Sequence, residues 1–513
     1  MTGAEELSLA RWLPERAALT PGRVAIEFGD NRIGYAELAA SAADWAAALA
    51  GAGLGPGDRV ATLARNCPEQ VAVFFACAMS GLVLVPLNWR LTAPELAFQL
   101  GDAEPAMLLT DPELRELAME ARDLAGLGGA AAKIAALTSP PRPRVQGDGV
   151  PAAVTGDDPL LILYTSGTTG RPKGAVLTHA NCFWTNLSLD RTAEINGSDV
   201  VLQVLPQCHV GGWNVQPLLA WWKGATVVLE QSFDAARVLS LIERKKITTM
   251  MGVPTNYQML AEQDQFAAAD LSSLRQVIVG GAPMPRPVLE TWLARGVTVL
   301  QGYGLTEAAP NVLCVPAEYA TQKTGSAGRP YLHVRVALRD LGGAHLVDGT
   351  GTGELLVAGP NVFAGYWGNQ RATKAALDGG WLATGDIAER DDDGFYWIRG
   401  RSKDMYISGG ENVYPAEVEE VLLGHESVAE AAVVGVPDRR WGETGLAFIV
   451  PRPGRELSAG QLTAYCRTRL ARYKIPAHFR PLTELPKLTS GKLDKVTLRG
   501  MIADLATGGN DVS

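Results

Sequence analysis

The sequence predicts an α/β protein in which a large N-terminal domain ends in a β-rich section and is followed by a small α+β domain. Short apolar runs alternate with helix-like stretches for most of the first 400 residues, which is typical of largely parallel sheets covered by helices. From about residue 325 to residue 399 the runs are instead separated by Gly/Asp-rich turns, a pattern that favours antiparallel strands. The remaining residues, about 110 in number, suffice for a separate compact domain.

The strands of the large domain are predicted at apolar runs, namely residues 59–63, 106–109, 160–164, 200–205, 225–229, 248–252, 276–279 and 298–301. The β-rich section is predicted to contain strands at residues 334–339, 353–357 and 395–398. In the small domain we expect a helix at residues 415–423, strands at residues 429–435 and 446–450, and a helix after Ser458. Ser458 and Gln461 have the spacing of a capping box.

Three further stretches carry structural expectations. Residues 71–87 contain no charged side chain but are shorter than the about 20 apolar residues that a membrane span needs. They are predicted to form a buried helix at residues 69–79 and a buried strand at residues 82–85, because parallel strands covered on both faces are apolar throughout. The Ala/Gly-rich residues 125–136 are predicted as a surface helix, and the Pro-containing residues 139–149 as a tether.

Composition excludes several classes of protein. The formal net charge is −9, which disfavours a general nucleic-acid binder because such proteins carry a basic surface. The six cysteines lie far apart, which predicts reduced thiols and no zinc site. Glu5 and Glu6 precede any basic residue, unlike in a secretory signal, so we expect a cytoplasmic protein without a transmembrane span.

A Gly/Thr-rich segment is the strongest functional signal in the sequence. The strand predicted at residues 160–164 leads into Thr165-Ser-Gly-Thr-Thr-Gly-Arg-Pro-Lys-Gly174. Glycines let the backbone approach a phosphate closely, and N–H groups, hydroxyls and Lys173 can bind its oxygens. Lys173 is followed by Gly174 and not by Ser or Thr, so the segment is not a Walker A loop. The structural alternative is a flexible surface turn. Four of the first five residues of the segment carry a hydroxyl group, which disfavours that alternative.

This segment closely resembles the signature of the adenylate-forming superfamily, which comprises acyl-CoA synthetases, nonribosomal-peptide adenylation domains and beetle luciferases. Further motifs of that superfamily follow in order: Gly280-Gly-Ala-Pro283, Gln301-Gly-Tyr-Gly-Leu-Thr-Glu307, Gly380-Trp-Leu-Ala-Thr-Gly-Asp386, Gly400-Arg-Ser-Lys-Asp404, Ser408-Gly-Gly-Glu-Asn412 and Pro486-Lys-Leu-Thr-Ser-Gly-Lys492. They cover nearly the whole chain and are most similar to those of AMP-forming acyl- or aryl-CoA ligases. The resemblance implies a large adenylation domain over residues 1–400, a hinge at residues 401–403 and a small mobile domain over residues 404–513.

The resemblance also implies a site for ATP or AMP with Mg²⁺. The residues expected to bind the nucleotide are Thr165, Ser166, Gly167, Thr168, Thr169, Gly170, Lys173, Gly281, Ala282, Pro283, Gln301, Gly302, Tyr303, Gly304, Asp386, Ile398 and Arg401. Tyr303 is expected to stack on the adenine and Thr306 to contact the α-phosphate. Glu307 is expected to bind Mg²⁺, which prefers hard oxygen ligands, and Asp386 to accept the ribose hydroxyls.

The small domain is expected to supply the remaining catalytic groups. By resemblance, Lys492 reaches the acid's carboxylate and the α-phosphate during adenylation, and the domain rotates at Lys403 between two half-reactions. The residues expected to bind coenzyme A are Ser408, Gly409, Gly410, Glu411 and Trp441. Leu488 stands where the family often has Asn, Thr or Arg, and Ile407 stands where some members carry a second lysine, so position 407 receives no role.

The segment from Leu205 to Asn214 resembles the part of the family that lines the acid pocket. The residues expected to form that pocket are His209, Val210, Gly211, Gly212, Trp213, Asn214, Tyr257, Gly280, Ala308, Ala309 and Asn311. His209 is expected beside the carboxylate, as a catalytic residue together with Lys492, Thr306 and Glu307. Cys208 stands where an aromatic residue is common. Small residues, aromatic faces and amides suit either an aryl or arylpropenoic acid or a medium- or long-chain fatty acid.

The expected reaction has two steps. The acid attacks the α-phosphorus of ATP to give an acyl-adenylate and pyrophosphate, and coenzyme A then takes the acyl group and releases AMP. Fixed positive charge would stabilise the charge that develops on the phosphate oxygens. Three alternatives stay open: an enzyme that loads a separate phosphopantetheinyl carrier protein, a luciferase-type oxygenase and a non-enzymatic nucleotide sensor. The sequence is compatible with a monomer or a homodimer.

Overall fold

The computed structural model describes residues 7–128, 133–138, 153–165, 171–343, 345–408, 411–438, 441–455, 457–488 and 492–507 of the 513-residue chain. The chain divides into two compact units. Unit 1 comprises Met1–Met284, Val288–Val336 and Leu356–Ala383, and unit 2 comprises Pro285–Pro287, Ala337–Leu355 and Thr384–Ser513. The hinge expected at residues 401–403 falls within unit 2 and stays a prediction.

The strands, in chain order, are β1 (Val24–Phe28), β2 (Asn31–Gly34), β3 (Arg59–Leu63), β4 (Val83–Leu87), β5 (Met107–Thr110), β6 (Lys133–Ala136), β7 (Pro159–Thr165), β8 (Lys173–Thr178), β9 (Val200–Gln203), β10 (Thr226–Leu229), β11 (Thr249–Gly252), β12 (Gln276–Val279), β13 (Thr298–Gly304), β14 (Asn311–Cys314), β15 (Arg329–Pro330), β16 (Arg335–Arg339), β17 (Gly351–Ala358), β18 (Gly365–Tyr366), β19 (Leu377–Asp378), β20 (Trp381–Arg390), β21 (Tyr396–Arg401), β22 (Tyr406–Ser408), β23 (Glu411–Val413), β24 (Val428–Asp438), β25 (Gly442–Pro451) and β26 (His478–Pro481).

The α-helices are α1 (Trp12–Leu19), α2 (Tyr35–Gly51), α3 (Pro68–Ser80), α4 (Ala93–Ala103), α5 (Arg115–Leu124), α6 (His179–Ala193), α7 (Gly211–Asn214), α8 (Pro217–Lys223), α9 (Ala235–Lys245), α10 (Pro254–Ala261), α11 (Arg286–Ala294), α12 (Gln370–Ala376), α13 (Pro415–Leu423), α14 (Ala459–Arg467) and α15 (Lys495–Thr507). The capping box predicted at Ser458 and Gln461 is confirmed at the start of α14, where the Ser458 side chain accepts a hydrogen bond from the Gln461 backbone N–H.

A seven-stranded sheet of unit 1 carries the Gly/Thr-rich segment. Its strand order is β18-β8-β7-β4-β3-β5-β6, and β7, β4, β3, β5 and β6 pair in parallel along this order. Strands β7 and β8 are antiparallel, with Thr165 opposite Lys173. The segment between these two residues therefore connects neighbouring strands at one end of the sheet.

A nine-stranded sheet of unit 1 carries the next two motifs. Its order is β15-β14-β13-β12-β11-β9-β10-β1-β2, and the six strands from β13 to β1 are parallel. The predicted parallel α/β architecture is thereby confirmed. The motif at 280–283 follows β12, whereas the motif at 301–307 begins within β13, which extends to Gly304. Both motifs therefore lie at the carboxyl ends of adjacent parallel strands, where open α/β sheets bind ligands.

Two five-stranded sheets complete the fold. One has the order β16-β17-β20-β19, with β21 paired to β20, and its β19–β20 and β20–β21 pairs are antiparallel as predicted. The other, in unit 2, has the order β23-β22-β25-β24, with β26 paired to β25. Along β24, Val433 joins one hydrophobic core and Val434 the other, because successive side chains of a strand point to opposite faces.

The uncharged stretch at residues 71–87 is buried, as predicted. Helix α3 is buried from Val71 to Ala78, and all of β4 is buried. Helix α3 ends at Ser80, and the residue that caps it, Gly81, has a left-handed conformation with a φ of 69°. Within the described ranges, no helix combines the length and apolar character needed to cross a membrane.

The prediction of a helix over residues 125–136 is wrong. Helix α5 ends at Leu124, and Lys133–Ala136 forms the edge strand β6, which pairs in parallel with β5. The helix propensity of alanine favours a helix by only about 0.5 kcal/mol per residue over other ordinary residues. Backbone hydrogen bonds to the neighbouring strand outweigh this preference. Residues 129–132 and the tether predicted at 139–149 lie outside the described residues.

Gly328 holds the loop before β15 against β14. Its φ is +99°, and a Cβ atom there would lie 1.9 Å from the carbonyl carbon of Cys314. Gly296 has a φ of +73° but nothing within 4 Å of its Cβ position. We expect Gly328→Ala to destabilise unit 1 severely, by more than about 4 kcal/mol, and Gly296→Ala by about 1–2 kcal/mol. Denaturant unfolding measures both, and equal effects would contradict the described packing.

Candidate active site

The Gly/Thr-rich segment begins and ends on residues that are fixed by the β7–β8 pair. Thr165 is the last residue of β7 and Lys173 the first of β8, and both are partly buried. Gly174 follows Lys173 and packs closely, since a Cβ atom there would lie 2.7 Å from the side chain of Ile162. Ser166, Gly167, Thr168, Thr169 and Gly170 lie outside the described residues, so their phosphate contacts stay predictions.

The carboxylate of Glu307 lies beside this segment. Its Oε1 atom accepts a hydrogen bond of 2.8 Å from the Tyr366 hydroxyl and a longer one of 3.5 Å from Thr165 Oγ1. The backbone oxygen of Glu307 accepts a hydrogen bond of 2.9 Å from the Phe363 N–H. Glu307 and Thr306 belong to the short 3₁₀-helix Thr306–Ala308 that follows β13.

Lys173 is held next to the same tyrosine. Its Nζ atom lies 5.0 Å from the centroid of the Tyr366 ring, a distance typical of a cation–π contact. Tyr366 therefore contacts both the lysine and the carboxylate of the predicted site. The sequence analysis missed Tyr366, and the one signal that could have drawn attention to it is its position in the Gly-Tyr-Trp sequence at 365–367.

The two motifs expected to hold the adenine lie side by side. Gln301 Oε1 accepts a hydrogen bond of 3.1 Å from the Met284 N–H, and its Nε2 donates to the Ala282 oxygen at 3.4 Å. A Cβ atom on Gly304 would lie 1.8 Å from the Pro310 oxygen, so only glycine fits this position. Gly281, Ala282 and Pro283 are exposed, whereas Gly302 and Tyr303 are partly buried.

The segment expected to line the acid pocket forms a turn and the short helix α7. His209 is partly buried, and its backbone oxygen accepts a hydrogen bond of 2.9 Å from the Gly212 N–H. Gly211 lies close to Leu205, 3.2 Å away from its Cβ position. Burial raises the pKa of the Cys208 thiol to about 12, so Cys208 stays protonated near neutral pH and offers a small apolar surface rather than a nucleophile.

Buried amides connect several of the expected pocket residues. Asn214 Oδ1 accepts a hydrogen bond of 3.1 Å from Asn186, and the Asn214 backbone oxygen accepts one of 3.4 Å from the Asn311 side chain. Asn361 Nδ2 donates to the backbone oxygens of Ala308 and Asn311, at 2.9 and 3.2 Å. These hydrogen bonds hold Asn214, Ala308 and Asn311, three of the residues expected to form the pocket, close to one another. Asn186 and Asn361, which support them, were not among the expected site residues.

Two of the aromatic residues expected as pocket walls are fully buried. Trp213 stacks on Phe74, with ring centroids 4.7 Å apart, and its Nε1–H donates to the Gln207 oxygen at 2.6 Å. The Tyr257 hydroxyl donates to the Ile278 oxygen at 2.7 Å, and burial raises the pKa of this hydroxyl. Both side chains pack in the core with their polar atoms satisfied. Val210, Gly280 and Ala309 are also buried.

Unit 2 contains the acidic residue expected to bind the ribose. Asp386 and Arg401 are cross-strand partners on β20 and β21, and Arg401 Nε lies 2.9 Å from Asp386 Oδ1. The Asp386 side chain is 8% exposed and the Arg401 side chain 44%, so the guanidinium offsets the charge of a nearly buried carboxylate. Ile398, also on β21, is partly buried.

The lysine expected to catalyse adenylation belongs to unit 2. Lys492 is exposed, and its backbone oxygen accepts a hydrogen bond of 2.7 Å from the Leu488 N–H. On either side, Lys487 pairs with Glu430 at 2.6 Å and Lys495 with Glu419 at 2.7 Å. Two ion pairs thus anchor the described residues on both sides of Lys492.

The hinge and coenzyme A residues also belong to unit 2. Lys403 is exposed in the 3₁₀-helix Ser402–Asp404. Ser408 is buried on β22 opposite the exposed Glu411 on β23, and Trp441 is partly buried. Gly409 and Gly410 lie outside the described residues.

The donor chemistry at Glu307 fits the magnesium ion that the fold implies. The hydrogen bonds from Tyr366 and Thr165 are both accepted by Oε1 of Glu307. Among the residues that the structure describes, none donates a hydrogen bond to Oε2. A free carboxylate oxygen is a hard ligand of the kind that Mg²⁺ shares with nucleotide phosphates. The described residues contain no cluster of three or more His, Cys, Asp or Glu that could hold a metal by itself, so the phosphates would have to complete the ligand set.

Comparisons with known proteins identify the family. The family model described as AMP-binding enzyme matches residues 13–367, and the model of the AMP-binding enzyme C-terminal domain matches residues 417–492. The feruloyl-CoA synthase of an Amycolatopsis species is 41% identical over 491 residues, which cover 96% of this chain and 98% of that protein. The indoleacetate–CoA ligase of Aromatoleum aromaticum is 40% identical over 509 residues, with coverages of 97% and 98%.

Solved structures of similar enzymes have the same fold. The o-succinylbenzoate CoA synthetase of Bacillus subtilis, in complex with an acyl-adenylate intermediate, is similar with a TM-score of 0.86 at 35% identity, over 95% of this chain and 98% of that chain. Its complex with ATP and a magnesium ion gives the same TM-score and identity, over 95% and 99%. The chain therefore belongs to the AMP-binding enzymes, within the adenylate-forming superfamily that includes the AMP-forming acid–CoA ligases.

Proposed function

We propose that this chain is an ATP-dependent, AMP-forming ligase that joins an apolar carboxylic acid to coenzyme A. The observation that carries the proposal is the cluster in unit 1 in which Tyr366 contacts both Lys173 and Glu307 while Thr165 reaches the same carboxylate. A lysine, a hydroxyl and a carboxylate at the end of a Gly/Thr-rich segment suit the phosphates of a nucleotide and their metal ion. The family and the CoA ligases among the relatives support the same assignment.

The residues of unit 1 have distinct proposed tasks in adenylation. Lys173 and the hydroxyls from Thr165 onward bind the phosphates, and Thr306 holds the α-phosphate in line with the attacking carboxylate. Mg²⁺ bound with Glu307 would neutralise charge on the phosphate oxygens. Alignment and charge neutralisation account for most of the catalysis in phosphoryl transfer. The proposal therefore depends on the fixed positions of Thr165 and Lys173, which are partners in the sheet, and on the hydrogen bonds that hold Glu307.

The residues of unit 2 have proposed tasks in both half-reactions. Asp386 binds the ribose hydroxyls, Arg401 supports it, and Lys492 adds positive charge at the acid's carboxylate and the α-phosphate. Ser408 and Glu411 belong to the loop proposed for the pantetheine arm of coenzyme A. The rotation at Lys403 stays part of the proposal.

The acid is proposed to be an aryl or arylpropenoic acid, with a fatty acid as the second choice. The relatives that act on feruloyl and indoleacetate groups support an aromatic acid, whereas a long-chain-fatty-acid–CoA ligase of Mycobacterium tuberculosis, 38% identical over 92% of this chain, supports the second. Cys208 stands where an aromatic residue is common in the family, and Gly211 and Gly212 are small residues of the same segment. The protein is proposed to act in the cytoplasm, because its six cysteines are free thiols.

The proposed activity predicts pyrophosphate release that depends on both ATP and an acid. We expect arylpropenoic and aryl acids to give the highest kcat/KM in a screen that includes benzoic acids and fatty acids of increasing length, with acyl-CoA and AMP detected by mass spectrometry. A parallel reaction with a phosphopantetheinyl carrier protein in place of coenzyme A should give little product. ATP binding without pyrophosphate release under any condition would contradict the proposal and favour a nucleotide sensor.

Lys492 is predicted to act in the first half-reaction only. Lys492→Ala should lower adenylate formation at least about 100-fold, the usual effect of removing one group that stabilises developing charge, yet leave thioester formation from supplied acyl-AMP nearly unchanged. Lys487→Ala is the matched control, because it removes the same charge at a position nearby in the sequence, where the lysine pairs with Glu430, and should change neither step by more than about twofold. Equal loss of both steps in Lys492→Ala would refute this division of labour.

A further inference from the structure

The Tyr366 side chain contacts both Lys173 and Glu307, two residues expected at the nucleotide site. Its hydroxyl donates to Glu307 Oε1 at 2.8 Å, and its ring centroid lies 5.0 Å from Lys173 Nζ. We propose that Tyr366 is a positioning residue that turns Glu307 so that its other oxygen, Oε2, is presented to the metal. The proposal rests on the proposed role of Glu307 as a metal ligand.

A lone carboxylate beside a triphosphate needs such an orienting group. The Glu307 side chain has three rotatable bonds, and free rotation would let either oxygen turn away from the metal. The hydrogen bond from a phenol to an ionised carboxylate is charge-assisted and therefore strong for its kind. Partners that orient metal ligands in this way commonly change metal affinity 10- to 100-fold when they are removed.

The phenol is itself held in place by three independent contacts. Tyr366 pairs with Ala175 of β8 in the sheet, and its backbone N–H donates to Thr373 Oγ1 at 2.9 Å. Its ring meets Phe363 edge-to-face, with centroids 4.9 Å apart, and the Phe363 N–H binds the backbone oxygen of Glu307. The short segment from Phe363 to Tyr366 thus fixes both the main chain and the side chain of Glu307.

The same arrangement couples the metal side of the site to the phosphate side. Lys173 begins β8, two residues before Ala175, the partner of Tyr366 in the sheet. The ring face attracts the ammonium group while the hydroxyl restrains the carboxylate.

The hydroxyl can be removed without disturbing the ring. In Tyr366→Phe we expect the affinity for Mn²⁺ in the presence of ATP, measured by the loss of the free-ion electron paramagnetic resonance signal, to fall about tenfold. Affinity for AMP without metal, measured by calorimetry, should stay within about twofold of the unchanged protein. Tyr35→Phe is the matched control, because the buried Tyr35 hydroxyl also donates to an oxygen, that of Ala225 at 2.6 Å, with the Ala220 oxygen farther away at 3.5 Å. This variant should change neither affinity.

Three outcomes overturn the inference. Unchanged Mn²⁺ affinity in Tyr366→Phe would show that the hydroxyl does not orient the ligand. An equal loss of metal-free AMP affinity would show a general disturbance of the site, and an equal effect of Tyr35→Phe would show a nonspecific one. Glu307→Gln separates this inference from the proposed function: if Glu307→Gln abolishes Mn²⁺ affinity and Tyr366→Phe does not lower it, only the inference fails, whereas full Mn²⁺ affinity in Glu307→Gln removes the role of Glu307 itself.

Discussion

The hydrogen bond between Tyr366 and Glu307 is the interaction on which the candidate site depends. The chain is acidic, with a formal net charge of −9, so it has to bind a polyanionic nucleotide through local charge rather than through an overall positive field. A carboxylate in that site is useful only if it faces a cation, and it is repulsive if it faces a phosphate. The Tyr366 hydroxyl supplies the orientation, and its ring keeps the positive charge of Lys173 nearby.

Strand pairing in the sheets of unit 1 brings these groups together although they are far apart in the sequence. Strands β7 and β8 set Thr165 opposite Lys173, and β18 adds Tyr366 to the edge of the same sheet. The parallel strands β12 and β13 end next to each other, and their loops carry the adenine motif and Glu307. Because pairing in a sheet fixes position to within a fraction of a residue, the site inherits its geometry from backbone hydrogen bonds.

Local patterns in the sequence were sufficient to predict the frame of the molecule. Strands β3 and β12 and helix α13 occur at the predicted residues, since each is a short periodic run bounded by turn residues. Residues 133–136 were predicted incorrectly, because an alanine-rich strand at a sheet edge has no local signature. Its assignment depends on β5, which lies more than twenty residues earlier in the chain.

Residues of the candidate site could be predicted from the sequence only where they belong to a motif. Glu307 and Asp386 could be singled out from their motifs, but Tyr366 lies 59 residues from Glu307, and no local pattern links the two. Asn186 and Asn361 could not be predicted for the same reason, since each supports expected pocket residues through contacts that are distant in the sequence. Trp213 and Tyr257 are both fully buried, and their expected place in the wall of the acid pocket stays a prediction.

The most direct test of this account is a crystal structure of the protein with ATP and Mg²⁺. It predicts that Glu307 binds the metal through the oxygen that Tyr366 does not contact, directly or through water, and that Lys173 contacts the phosphates of the same nucleotide. A nucleotide bound elsewhere in unit 1, with neither Glu307 nor Lys173 near its phosphates or its metal, would contradict the central claim.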